Sequence, residues 1–332
     1  MSFNIVRAGH VEYLVTNLER ARKFYVETLG FFETARERNQ SFLRCIEERF
    51  HHSLVLKESE EPGVGHIAFR VASQDELHHI FKFLQESGLK PFWYSDEEGV
   101  GKCVRVQDPV GFPIEFYHEM KREEWLLRKF SEHKGAKIMR IDHFNLHVPD
   151  VGKAFSWYKD KLQFTCTEIT ETGSEPPKLW AAWLRRKHNC HDVALTNGYG
   201  PRLHHTGFYV YDRSCIYDCA DILASSGYVR SIERGPGRHG ISNAFFIYLR
   251  DGDGNRIELY TGDYLTADPD WEPIRWKLND PQRQTFWGSP APESWFKESM
   301  RVKDYETGKF VPLLSPTLEE KPSYVEKQNL PE

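Results

Sequence analysis

Three residues far apart in the chain, His143, His205 and Glu258, are of types that bind a divalent metal, and each has a twin of the same type earlier in the sequence. The segment HFNLHVPDVGKAFSWYKDKLQF, starting at His143, aligns without gaps on HVEYLVTNLERARKFYVETLGF, starting at His10. HHTGFYV from His204 pairs with GHIAFRV from Gly65, and IYLRDGDGNRIELY from Ile247 pairs with VRVQDPVGFPIEFY from Val104. The alignments set His10 on His143, His66 on His205 and Glu115 on Glu258. Two neutral imidazoles and one carboxylate on one face of an octahedron suit a first-row divalent ion, Fe(II) above all, and leave three positions open. Open positions point to an enzyme rather than a structural site. A lone strand histidine is an ordinary packed or surface residue; repetition of all three positions in register favours metal.

The elements that carry these residues follow from the same repeat. Each long segment opens with alternating apolar residues, turns at Asn17 or Asp150, and continues as a helix. Leu18, Ala21, Tyr25 and Leu29, or Val151, Ala154, Tyr158 and Leu162, then share one face. Successive strand side chains point to opposite faces, so only one of His204 and His205 is expected at a site, and the repeat selects His205. Each half reads strand, helix, then several strands. The halves span residues 1–120 and 139–265. They are joined by a charged connector, 121–138, expected to form an exposed amphipathic helix with Trp125, Leu126 and Phe130 packing inward. Residues 266–332 read as an arm over a domain, with disorder expected across its last stretch, SPTLEEKPSYVEKQNLPE.

Composition excludes other classes. A formal net charge of -5 arises from 49 acidic and 44 basic residues interspersed along the chain, which leaves no basic face for nucleic acid. No apolar run approaches the roughly 20 residues of a membrane-spanning helix, and the N-terminus lacks the layout of a signal peptide, so a cytoplasmic protein is expected. The six cysteines form no CxxC pair and read as reduced thiols.

Both halves offer the same triad, so residues around it must decide between them. His191 precedes His205 by the spacing that separates His52 from His66. Ten residues before the glutamate, however, the second half has Tyr248 and the first Arg105; nineteen before, the second has His239 and the first Asp96. Proton-handling groups such as His191, Tyr248 and His239 suit a reactive centre, whereas an arginine would be a fixed cation beside the metal. The second half is therefore expected to hold the ion and the His10/His66/Glu115 set to be a vestige.

These modules, with RIDHFNLHVPDV, HDVALTNGYGPRLHHTGF, ERGPGRHGISNAFFIYLRDGDGNRIELY and DPQRQTFWG as their most specific parts, resemble the vicinal oxygen chelate superfamily of glyoxalases, bleomycin-resistance proteins and extradiol dioxygenases. Within it, nearly the whole chain resembles the homoprotocatechuate (3,4-dihydroxyphenylacetate) 2,3-dioxygenases. The resemblance implies an α+β fold of two tandem modules, each of paired βαβββ repeats forming an open barrel, with a C-terminal arm or lid. It implies one Fe(II) or Mn(II) per subunit on His143, His205 and Glu258, O2 as co-substrate, and a homotetramer. The reaction implied is extradiol (meta) cleavage of 3,4-dihydroxyphenylacetate to 5-carboxymethyl-2-hydroxymuconate semialdehyde.

The resemblance also implies roles. His191 would act as acid–base, Tyr248 would hydrogen-bond a substrate oxygen, Asn145 would line the dioxygen side, and Trp183 would form a substrate wall. Arg234, His239 and Arg283 would take the carboxylate, for which arginine supplies a planar fork. Three other readings stay open: an extradiol dioxygenase for another catechol, a glyoxalase-like isomerase or thiol transferase, and a non-enzymatic ligand-binding protein of the same fold.

Overall fold

Asn17 and Asp150, where the sequence turns, cap the helices that follow: their side chains accept hydrogen bonds from the backbone N–H groups of Arg20 and Lys153. The computed structural model describes residues 3–322. Its first module comprises β1 (Ile5–Val15), α1 (Leu18–Arg22), β2 (Phe32–Arg36), β3 (Gln40–Arg44) and β4 (Leu54–Glu58), then β5 (Gly63–Val71), α2 (Gln74–Glu86), β6 (Phe92–Tyr94), β7 (Cys103–Gln107) and β8 (Pro113–Tyr117). These two βαβββ units form one sheet in the order β2-β3-β4-β1-β5-β8-β7-β6. The first strands of the units pair antiparallel at its centre, and each unit's last strand lies parallel to its first.

The second module repeats this plan with β9 (Ile138–Val148), α3 (Val151–Ser156), β10 (Thr165–Glu171), β11 (Leu179–Arg185) and β12 (Val193–Asn197), then β13 (Arg202–Val210), α4 (Arg213–Ser225), β14 (Ile232–Arg238), β15 (Phe245–Arg250) and β16 (Arg256–Thr261). The arm extends this sheet: β17 (Ile274–Lys277) pairs β10, β18 (Trp287–Gly288) pairs β14 and β19 (Met300–Arg301) pairs β13. Neither sheet closes into a barrel among the described residues.

The apolar stripes fall where the periodicity puts them. Leu18, Ala21, Tyr25 and Leu29 are buried, as are Val151, Ala154, Tyr158 and Leu162, although each helix widens into a π-type turn. The modules join through the repeated tyrosines: Tyr25 donates to Asp251 at 3.1 Å and Tyr158 donates to Asp108 at 3.1 Å, so each reaches the turn before the other module's last strand. Phe31 packs on Phe208 and Phe69 on Phe164 with the same reciprocity. All six cysteines are free and buried. No helix among the described residues is long and apolar enough to cross a membrane.

Two expectations are corrected. The connector is not an amphipathic helix: between Tyr117 and Ile138 the only helical element is a single 3-10 turn, Phe130–Glu132. Leu126 packs inward, but Trp125 is 48% and Phe130 76% exposed. Only one of the three apolar groups is buried, too few to hold a helix against a surface. The start of the C-terminal stretch is ordered, because the backbone of Thr317 donates to Pro149 and the carbonyls of Leu318 and Glu320 accept from Asn197 and Trp180. Residues 323–332 of that stretch lie outside the described residues.

Candidate active site

Strand register builds the site as a row. His143 on β9 stands opposite Gly207 on β13, Gly207 opposite Glu258 on β16, and Glu258 opposite Tyr248 on β15. His205, two residues before Gly207, enters from the strand between. The three ligand atoms converge: His143 Nε2 lies 3.0 Å from Glu258 Oε2 and 3.3 Å from His205 Nε2, and His205 Nε2 lies 3.3 Å from Glu258 Oε2. Ligands about 2.1 Å from a first-row divalent ion and at right angles are about 3.0 Å apart, so these edges and this donor set fit such an ion.

The electrostatics agree. Burial alone would keep His143 neutral, yet its bonds to Asp142 and Glu258 raise its pKa to about 9. Burial opposes charge on Glu258 too, but contacts with His143 and His205 hold its carboxyl well below the usual range. Glu258 faces His143 Nε2 and Asp142 backs Nδ1, so the place between Nε2 and the Glu258 carboxylate is one that attracts a cation.

Partners behind the ligands fix their aim. His143 Nδ1 donates to Asp142 at 3.0 Å, and Asp142 also accepts from Asn189 at 3.0 Å. Lys187 donates to the Asp142 carbonyl at 2.6 Å and to the His191 carbonyl at 3.0 Å, tying that loop to β9. Gly207 is required by space: a Cβ there would stand 2.1 Å from the His143 ring.

The expected alternation at His204 fails. A register shift between Leu203 and His205 breaks it, and both histidines are buried and border the same cavity. His204 Nε2 donates to the Trp295 carbonyl at 3.0 Å, while its Nδ1 lies 2.6 Å from His205 Nδ1, so it supports His205 from behind.

A cavity of about 1000 Å³ opens from the three ligands and is bordered by His191, Tyr248, His239, Asn145, Trp183 and Arg283. The His191 ring lies over His143 with centroids 4.0 Å apart; burial, then the charge of His143, hold it well below its ordinary pKa and neutral. His239 is lowered to about 3 by burial and Arg234, so its Nδ1 donates to the Gln284 carbonyl and its Nε2 accepts the Tyr248 hydroxyl at 2.9 Å. Asn145 accepts from Thr196 at 3.2 Å. Arg283, from the short helix α5 (Pro281–Gln284), is buried over the Trp180 ring and donates to Thr170. Arg234 is not on the cavity wall: it stands behind, donating to the Gln284 carbonyl and to Thr285 at 2.7 Å, and so holds the segment that carries Arg283.

Several bordering residues escaped the sequence reading. His147 follows His143 and Asn145 at period two and could have been found from it. Trp180 comes from β11 and Trp295, Leu313 and Leu318 from the arm, and no local pattern marks them.

In the first module the equivalent row runs His10, Ala68, Glu115, Arg105. Arg105 donates to Glu115 at 2.7 Å and to Glu97. Counting residues set Asp96 against His239, but Asp96 is exposed and Glu97 enters the cluster instead, from a loop of eight residues between Tyr94 and Cys103 where the second module has six between Arg238 and Phe245.

A family profile described as the Glyoxalase/Bleomycin resistance protein/Dioxygenase superfamily matches residues 7–116 and 140–259. The chain is 32% identical over 305 residues to a "Manganese-dependent 2,3-dihydroxybiphenyl 1,2-dioxygenase" of Geobacillus genomosp. 3, covering 87% of this chain and 96% of that protein. A homoprotocatechuate 2,3-dioxygenase from Arthrobacter globiformis superposes with a TM-score of 0.91 at 39% identity, over 94% of this chain and 96% of that one. The Brevibacterium fuscum homoprotocatechuate 2,3-dioxygenase, solved in complex with 3,4-dihydroxyphenylacetate, superposes with a TM-score of 0.91 at 38% identity, over 94% of this chain and 98% of that one.

Proposed function

This chain belongs to the Glyoxalase/Bleomycin resistance protein/Dioxygenase superfamily, and from that premise we propose that it opens the ring of a carboxylated catechol, 3,4-dihydroxyphenylacetate before others. Metal-dependent extradiol cleavage of catechols is the activity its relatives and structural neighbours support. The finer assignment rests on one observation: a buried arginine, Arg283, on the wall of the cavity that begins at His143, His205 and Glu258.

Fe(II) or Mn(II) held by these three side chains would offer adjacent positions to a diol and to dioxygen and conduct electrons between them. The remaining work falls to the protein. His191, neutral and packed against His143 with the rings tilted by 41°, would take a catechol proton and return it. Tyr248 stays protonated because burial and Glu258 raise its pKa; its proton is engaged by His239, so its oxygen can accept from a substrate hydroxyl. Asn145 lines the dioxygen side and Trp183 forms part of the substrate wall. Arg283 anchors the carboxylate, with Arg234 adding positive charge behind it. The ordered strap from Leu313 to Pro322 borders the cavity and limits access of water.

Oxygen-electrode assay of Fe(II)- or Mn(II)-reconstituted protein with 3,4-dihydroxyphenylacetate, 4-methylcatechol and 2,3-dihydroxybiphenyl tests the reading. The highest kcat/KM is expected for the acid. Preference for the biphenyl would overturn the substrate assignment, and no oxygen uptake with any of the three would turn the reading toward a glyoxalase-like enzyme or a ligand-binding protein of the same fold.

A further inference from the structure

The first module holds a second gathering of ligand types. His10 and His66 present Nε2 atoms 3.1 Å apart, and Glu115 Oε1 lies 3.4 Å from His10 Nε2. Glu97 adds a carboxylate that has no counterpart in the other module, with Oε1 3.3 Å from His10 Nε2. One candidate ligand atom from each of the four residues lies within 4.8 Å of the rest. His10, His66 and Glu115 are almost wholly buried, and none of the four borders the large cavity.

Arg105 engages one oxygen of each carboxylate, and the other oxygen of Glu97 also lies 3.3 Å from His52 Nε2. Arg105 donates Nε to Glu115 Oε2 at 2.7 Å and Nη2 to Glu97 Oε2, while Glu115 Oε1 and Glu97 Oε1 are buried without a hydrogen-bond partner and turned toward the imidazoles. The guanidinium is stacked on Tyr94 at 3.8 Å, which fixes it beside the cluster. Its place in the row is that of Tyr248 in the other module, a neutral residue opposite the glutamate. A cation there repels a divalent ion and satisfies the carboxylates that would bind one.

We propose that the first module retains a second divalent-metal site, formed by His10, His66, Glu97 and Glu115, which Arg105 keeps closed, so that replacing Arg105 admits a second ion. Two imidazole nitrogens and two carboxylate oxygens suit a first-row divalent ion. Four protein ligands and a place away from the large cavity make this a structural rather than a catalytic position.

The test is metal counting on full-length protein stripped with chelator, reloaded with Co(II), desalted and analysed for cobalt. Arg105→Ala and Arg105→Gln are each expected to bind one equivalent more than wild type. Adding His66→Ala is expected to abolish that extra equivalent. The result is read as a difference from wild type, so it stands whether or not the second module loads. Removing Arg105 leaves two buried carboxylates uncompensated, so both variants are also melted with and without Co(II); cobalt should raise their melting temperatures more than that of wild type. An unchanged cobalt count, an extra equivalent that survives His66→Ala, or failure of both variants to fold with Co(II) present would each overturn the proposal. So would a wild-type protein that already carries an ion lost on His66→Ala.

Discussion

Gly207 offers a direct test of how the site is held. It faces His143 on one side and Glu258 on the other, and a Cβ at this position would lie 2.1 Å from His143 Cε1 and 2.4 Å from its Nε2. Ordinary contact between carbon atoms begins at about 3.5 Å, so Gly207→Ala must drive the imidazole away by about 1.4 Å. The ring has little room to yield. Asp142 holds its Nδ1 at 3.0 Å, His191 covers one side with centroids 4.0 Å apart, and Tyr260 lies 5.2 Å away. The ligand edges are 3.0–3.3 Å, so a displacement of this size takes Nε2 out of the set.

Loss of a mere supporting partner weakens a metal site about 10–100-fold, and displacing a ligand should cost at least that. Titration of stripped protein with Fe(II) or Mn(II), followed by desalting and metal analysis, should show affinity reduced by about 100-fold or more, with oxygen uptake reduced in step. Far-UV circular dichroism should be unchanged, since the substitution alters no backbone hydrogen bond. Wild-type affinity in Gly207→Ala would refute the assignment of His143 as a ligand, because no side chain can share that space without moving it.

Other expectations are as direct. Arg283→Ala removes a charge-assisted anchor worth about 2 kcal/mol, so KM for 3,4-dihydroxyphenylacetate should rise about 30-fold with little change for 4-methylcatechol; equal effects on both would remove Arg283 from carboxylate binding. His191→Asn should keep wild-type metal content and lower kcat by about 10²–10⁴-fold; unchanged turnover would show that His191 handles no proton. Glu233 is buried, which opposes its ionisation, but contacts with Arg256 and Ser294 hold its carboxyl at about 2. Its contribution to stability is therefore complete above the ordinary carboxylate value of 4.5 and is lost as pH falls toward 2. Glu233→Gln should lower the melting temperature at neutral pH and flatten its decline between about pH 5 and 3; a decline as steep as that of wild type would contradict the pairing.

The sequence by itself determined the duplication and, through it, the ligand types. Residue identity repeated at fixed spacing is a local property, so His143, His205 and Glu258 could be read against His10, His66 and Glu115 without coordinates. Helix starts at Asn17 and Asp150 were legible for the same reason, since a cap needs only the residues that follow it. Tertiary structure decided whatever depends on strand neighbours. Gly207 is unremarkable in sequence and indispensable once β9 lies against β13. A register shift beside His205 turns His204 toward the cavity against simple alternation. The loop after β6 brings in Glu97 where counting placed Asp96, and Arg234 stands behind Arg283 rather than beside it. The connector failed as a helix because an apolar pattern needs a surface to cover, and only Leu126 finds one. Spacing along a chain fixes which side chains can share a face; which faces meet is set by sheet register and packing, and these are properties of the whole fold.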